Sequence, residues 1–134
     1  MKYLLDINVL VAWGWQGHSD HTRVARWIAS ERRQPDTEFL TSPIPELGFV
    51  RVSLQRAVGT VAIKEACAAL EGMLATLGNA HAFIPDDQRG TNLPGWCKGA
   101  ARTTDAYLLA LATAHGAKLA TLDTGIPDSF VVPH

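Results

Sequence analysis

Lys2-Tyr3-Leu4-Leu5-Asp6-Ile7-Asn8-Val9-Leu10-Val11-Ala12-Trp13 reads as a buried strand running straight into a helix. Its first part is a short apolar run that ends in an acid, and Ile7 to Trp13 is apolar almost throughout. A carboxylate inside such a stretch destabilises the fold unless something pairs with it, so Asp6 is hard to explain by architecture alone. Gly14 and Gly17 close the segment.

The rest of the chain repeats the alternation. From Ser19 or Asp20, both good caps, Val24, Trp27 and Ile28 fall at helical spacing, while Arg23, Arg26, Glu31 and Arg32 lie mostly elsewhere on the wheel. Pro35-Asp36 breaks the pattern and Glu38 to Ser42 reads as a second strand. Pro43 and Pro45 then permit a helix with Glu46 in its first turn, running to about Gln55. Thr60 is expected to cap a long Ala-rich helix through Val61, Ile63, Cys67, Leu70, Leu74 and Leu77, with Gly78 as its left-handed stop. Ala80 to Pro85 is a third strand and Asp86 to Gly99 a polar loop containing Trp96. Asp105 to His115 is a helix stopped by Gly116, Lys118 to Leu122 a strand ending at Asp123, and Phe130 to Val132 a last strand. This order predicts a three-layer α/β/α domain with a mainly parallel central sheet, spanning 1–134 as a single unit without repeats.

Composition narrows the function. With 134 residues, 47% of them hydrophobic, the chain suits one domain with a real core. No apolar run reaches the roughly 18 residues of a membrane helix, and the N-terminus lacks signal-peptide architecture, so a cytoplasmic protein is expected. Cys67 and Cys97 have neither CxxC nor Cys/His spacing and are expected to be free thiols. Twelve Lys+Arg against thirteen Asp+Glu give a net charge of −1, which argues against a simple RNA-binding module. It argues less against a metal-dependent nuclease, where bound cations and a cluster such as Arg23, Arg26, Arg32 and Arg33 supply local positive potential. A solvated helix face is the plainer account of that cluster.

Four acids recur at strand ends or helix starts: Asp6, Glu46, Asp105 and Asp123. Each has a bland explanation by itself. Asp105 and Glu46 suit first helical turns on dipole grounds, and Asp123 before Thr124-Gly125 suits a turn. Together they point further, because the crevice of an open parallel sheet lies beyond the carboxyl ends of its strands. Acids gathered there repel one another by on the order of several kcal/mol at about 4 Å, unless protons or cations intervene. Magnesium or manganese prefers such oxygen donors and leaves positions for a phosphate and a water. Hydrolysis of a phosphodiester then needs no nucleophilic side chain, and the chain contains no nucleophile elbow, Walker loop or dinucleotide fingerprint. Asn8, Thr104 and Thr121 are placed to hydrogen-bond the acids or metal-bound waters.

In these residues the chain resembles a PIN domain of the VapC type, the ribonuclease toxins of type II toxin–antitoxin pairs. The similarity rests on Leu4-Leu5-Asp6-Ile7-Asn8-Val9-Leu10, on Glu46-Leu47, on Thr104-Asp105-Ala106-Tyr107-Leu108-Leu109-Ala110-Leu111-Ala112 and on Ala120-Thr121-Leu122-Asp123. It implies a parallel sheet flanked by helices and an acidic pocket of Asp6, Glu46, Asp105 and Asp123 working with Mg2+ or Mn2+. It also implies endoribonuclease activity on RNA, a homodimer, and inhibition by a small antitoxin lying across or near the pocket. Ile7 departs from the family pattern, which often has Thr there. Asp128 suits a surface turn, His18 and His21 suit a solvated capping pair, and Trp96 is a candidate for stacking on a base. Two other classes compete. A noncatalytic PIN-like binding or regulatory domain would keep the acids for packing or partner contacts. A phosphoacceptor receiver domain fits poorly, since its first strand would carry more than one acid and Lys118 opens its strand instead of ending it.

Overall fold

The computed structural model describes residues 1–57 and 59–134. Strands β1 (Lys2–Leu5), β2 (Glu38–Thr41), β3 (His81–Phe83), β4 (Lys118–Thr121) and β5 (Phe130–Val131) form one sheet in the order β3-β2-β1-β4-β5. Every pairing is parallel, with Leu4 level with both Leu40 and Leu119. The helices are α1 (Ile7–Gly14), α2 (His21–Glu31), α3 (Pro43–Arg56), α4 (Ile63–Leu77) and α5 (Thr103–Ala114).

Period-two alternation sends the central strands' side chains to two apolar clusters. Tyr3, Leu5, Phe39 and Ala120 face one side, where α1 to α4 supply Val9, Leu10, Val24, Trp27, Phe49 and Leu70. Leu4, Leu40 and Leu119 face the other, covered by Leu108, Leu111 and Ala112 of α5. The expected three-layer α/β/α arrangement is therefore present. Burial on both faces is why β1 and β4 are apolar rather than alternating.

Two glycines set how closely α1 and α3 approach the sheet edge. A Cβ on Gly48 would lie 2.4 Å from Ile7 Cδ1, and one on Gly14 would lie 2.7 Å from both Met73 Sδ and Phe49 Cε2. The missing side chain of Gly48 lets α3 lie against α1 beside Ile7, next to Asp6, and that of Gly14 leaves room for Phe49 of α3 and Met73 of α4 at the other end of α1.

Some local expectations shift. Thr60 does not cap α4; its hydroxyl donates to Ala57 O at 2.9 Å, and Glu65 reaches back to accept from the Ala62 N–H at 3.3 Å. The last long helix begins at Thr103, two residues earlier than read, so Asp105 is inside its first turn. Gly78 follows α4 at positive φ, +55°, but its ψ of −127° is not the left-handed helical cap expected there, and the chain continues into a 3-10 turn; Asp128 adopts φ +62° in an exposed turn. Cys67 and Cys97 are free thiols. No described helix is long and apolar enough to cross a membrane.

Candidate active site

The strand order reverses direction between β1 and β4, so the crevice of this sheet opens where those two strands end. Asp6 follows β1 directly and is only 4% exposed. Its backbone N–H continues the ladder to Ala120 O at 3.0 Å. One carboxylate oxygen caps α1 by accepting the Ile7 N–H at 2.7 Å, and the other accepts the Thr121 hydroxyl at 2.7 Å. Having donated its one proton to Asp6, Thr121 Oγ1 accepts from Asn8 Nδ2 at 3.2 Å and from the Asp123 N–H at 3.1 Å. Asn8 Oδ1 accepts the Leu122 N–H at 3.1 Å, which ties α1 to the end of β4. Asn8 and Thr121 thus sit beneath Asp6 and hold it.

Asp105 and Asp123 complete the cluster. Arg102 Nη1 lies 3.4 Å from Asp105 Oδ2 and 3.2 Å from Asp123 Oδ2, so one guanidinium spans both carboxylates. That guanidinium also donates to Gly125 O and lies 5.5 Å from the Trp96 ring centroid. The Gly125 N–H donates to Asp123 Oδ1 at 2.7 Å, making the turn after β4 a fixed support for the acid. Burial pushes Asp6 up to about 6, against hydrogen bonds from Thr121 and Ile7 that favour its charge, while the fields of Asp105 and Asp123 push it further up. Asp105 is also raised, by burial first and by Asp123, with Arg102 opposing.

Glu46 is placed differently. It lies in the first turn of α3, and its Oε2 accepts the Thr41 hydroxyl at 2.7 Å. Thr41 Oγ1 is also 2.7 Å from His81 Nε2; since its proton goes to Glu46, the imidazole Nε2–H is the donor in that contact. Thr41 ends β2 on the strand beside β1, so Glu46 shares the crevice edge, yet its carboxylate borders a separate cavity with Leu47, Val50, Leu70 and Phe83. The structure therefore groups Asp6, Asp105 and Asp123, and holds Glu46 at the same edge on its own support.

The acid crevice is a cavity of about 380 Å³ whose lining includes Asp6, Asn8, Thr104 and Asp105, with His18, Arg51 and Arg56 also on its wall. Sequence reading missed Arg102, Arg51 and Arg56 as site residues. Only Arg102 carried a local signal, as a base three residues before Asp105. The anticipated cluster on α2 lies elsewhere: Arg23 and Arg26 border a cavity with Trp27 and His134, and Arg23 donates to Val132 O. His18 Nδ1 accepts the Asp20 N–H at 3.0 Å within the turn before α2, while His21 Nδ1 is 2.9 Å from Ala12 O and ties the start of α2 to α1; both are half-buried, not the solvated pair expected. Trp27 is buried, Trp13 and Trp15 are half-buried against the same core, and Trp96 packs against the α5 face of the sheet.

A divalent ion suits these donors. They are hard oxygens, the buried Asp6 has no cationic side chain of its own, and a guanidinium already stands between Asp105 and Asp123. Among the described residues no three Asp, Glu, His or Cys side chains close into a cage. Magnesium requires no cage, as it is commonly held by one or two carboxylates with waters and phosphate oxygens.

A parallel α/β/α sheet with acids gathered where β1 and β4 end defines the class, and the PIN domain family model matches residues 3–128: the chain belongs to the PIN-domain family. Within that family it is of the VapC type. It is 35% identical to Ribonuclease VapC39 of Mycobacterium tuberculosis over 133 residues, covering 96% of this chain and 94% of the relative. It is also 35% identical to Ribonuclease VapC38 of the same organism over 127 residues, covering 92% and 86%. Among solved structures it is similar to M. tuberculosis VapC20, described as a sarcin–ricin loop cleaving toxin, with TM-score 0.66, 16% identity and coverage of 98% and 99%. Rickettsia felis VapBC2 bound to a promoter DNA fragment gives TM-score 0.57 at 14% identity, covering 97% and 96%. At those identities the two structures speak to fold alone.

Proposed function

We propose that this chain is a divalent-metal-dependent endoribonuclease, acting as a toxin that hydrolyses RNA phosphodiester bonds and is restrained by a cognate antitoxin. The observation that carries this reading is the convergence of Asp6, Asp105 and Asp123 at the β1/β4 crevice. Its relatives' names agree with it. Asp6, Glu46, Asp105 and Asp123 are the proposed acids for Mg2+ or Mn2+, with Asp6 at the centre and Glu46 as the member borne by α3.

When bound, the ion lowers the pKa of a coordinated water and stabilises charge on phosphate oxygens. The chain's own residues do the rest. Thr121 and the Ile7 N–H hold both Asp6 oxygens in fixed directions, and Asn8 keeps β4 and α1 in register beneath them. Thr104, exposed at the mouth beside Asp105, offers a hydroxyl to substrate or water. Arg102 balances Asp105 and Asp123 in the resting site.

The proposed assembly is a homodimer with one antitoxin segment per site. Exposed Leu47 and Phe83 line the separate cavity that Glu46 borders, and with exposed Ile44, two residues before Glu46, they form an apolar surface of the kind such a segment would cover. A cytoplasmic location follows from this role.

The test is induction of the wild-type protein and Asp6→Ala in cells lacking antitoxin, with growth and new RNA 5′ ends recorded together. Growth arrest and discrete cuts with the wild type alone are expected. Identical profiles at equal folded levels would replace this reading with a noncatalytic PIN-like binding domain. Purified protein should cut single-stranded RNA with magnesium or manganese and stop when EDTA is added.

A further inference from the structure

The acids explain where a phosphodiester is cut but would repel the phosphates on either side of the cut. Something must hold the strand, in a molecule whose net charge is −1. Arg51 and Arg56 are exposed cations on α3 that line the acid crevice. Among the described residues neither forms an ion pair with a carboxylate. His18 stands with them; because its Nδ1 accepts the Asp20 N–H, its neutral ring carries the proton on Nε2 and is a donor there.

His18 and Arg56 also line a second cavity, of about 320 Å³, so the two hollows share a wall. Trp15, Gln16 and Ser53 are also on the wall of that second cavity. The Trp15 indole is rigid: its Nε1–H donates to Ser53 Oγ at 2.8 Å and it stacks on Phe49 at 6.1 Å with 3° between planes. The volume is within the range of small-ligand pockets, roughly 300–1,000 Å³. The acid crevice, the two arginines that have no carboxylate partner among the described residues, and an aromatic wall with an amide beside it adjoin in that order. That order is the one in which a single strand presents its scissile phosphate, next phosphate and next base.

Resting on the ribonuclease reading above, we propose that this second cavity is a nucleotide subsite of the enzyme. Arg51, Arg56 and His18 hold the phosphate next to the one that is cut, and the cavity walled by Trp15 receives the attached base. Close packing of α3 on Ile7 through Gly48 brings these cations alongside Asp6.

The experiment is fluorescence anisotropy of a short single-stranded oligoribonucleotide with the full chain in EDTA, so that the strand is bound but not cut. Arg51→Gln with Arg56→Gln should weaken binding about tenfold at 0.1 M salt, and the slope of log affinity against log salt should flatten by about 0.7, the contribution of the one single-strand phosphate that the two arginines hold. Arg51→Lys with Arg56→Lys should keep most of that slope. A charge-matched control on the end of α2, Arg32→Gln with Arg33→Gln, should bind like the wild type. An abasic nucleotide placed beside the cleavage position should cost the wild type on the order of tenfold. Equal affinity and slope in the Gln pair and the wild type, or an equal loss in the α2 control, would overturn the subsite; indifference to every abasic position would remove its base-binding part. Failure of the subsite is separable from failure of the activity: wild-type protein that cuts RNA with magnesium while the Gln pair binds normally sinks only the subsite, whereas wild-type protein that neither binds nor cuts sinks both.

Discussion

Asp6 is 4% exposed and lies close enough to Asp105 and Asp123 for their fields to act on it. Its pKa, raised from 3.8 to about 6, means that the folded state holds its proton more tightly than the unfolded chain does. The stabilisation from protonated Asp6 is therefore complete below about pH 4 and is lost as pH rises through 6. The rise from 3.8 to about 6 corresponds to about 3 kcal/mol. Without metal, Asp6→Asn should therefore be more stable than the wild type at pH 7.5, by about 1–3 kcal/mol in urea titration, with the gap closing toward pH 4. A wild type as stable as Asp6→Asn at pH 7.5 would show that burial does not strain this carboxylate. Arg102 has the complementary role. Its pairs with Asp105 and Asp123 are a third exposed, so Arg102→Gln should cost on the order of 1 kcal/mol or less, measured in EDTA. Millimolar magnesium should remove that deficit, because the ion takes over the same charge balance. A deficit unchanged by magnesium would assign Arg102 to packing on Trp96 instead. Asp6 was legible in the sequence as an acid in an apolar run. Arg102 was not, since its reach to Asp123 and Gly125 passes over the whole of α5 and β4, a separation that no local pattern describes.

At the scale of elements, α3 connects most of the molecule's features. It carries Glu46, Gly48, Arg51 and Arg56, and it packs on α1 where Gly48 meets Ile7. Gly48→Ala would gain helix propensity of about 1 kcal/mol, but its Cβ would meet Ile7 at both Cδ1, 2.4 Å, and Cγ1, 2.5 Å, so the side chain cannot simply turn away. A net loss of about 1–2 kcal/mol is expected by thermal melting, together with reduced cleavage, because Ile7 adjoins Asp6. An unchanged melt would mean that α3 can shift without disturbing the crevice. The strands and helices were readable to within a few residues from apolar period and breakers. The start of α4 was misread at Thr60 because a hydroxyl near a helix start has several acceptors to choose from, and here it takes Ala57 O. Similarly, Glu46 was recognised as a helix-start acid, but its support by Thr41 and His81 depends on β2 and β3 being neighbours, 40 residues apart in the chain.

Over the whole molecule, binding of a divalent ion to folded protein alone should raise stability by mass action, by about 2.7 kcal/mol at a hundred times the dissociation constant. The wild-type melting temperature should rise by several degrees with magnesium, and that of Asp6→Asn should rise much less. Equal rises in both proteins would place the ion away from Asp6. Reducing agent should leave the melt unchanged, since Cys67 and Cys97 are free. The sequence alone determined the layer architecture, the parallel sheet and the kinds of residue at strand ends, because periodicity, breakers and buried charge act over a few residues. Only the tertiary structure decided which of them meet. Asn8 and Thr121 are 113 positions apart, and they touch because β4 crosses to pair with β1 while β2 takes its other side. That strand order placed Asp6, Asp105 and Asp123 together and set Glu46 one strand over. It also turned the cations of α3, rather than those of α2, toward the crevice, because which surfaces adjoin is settled by the packing of distant segments and not by local propensity.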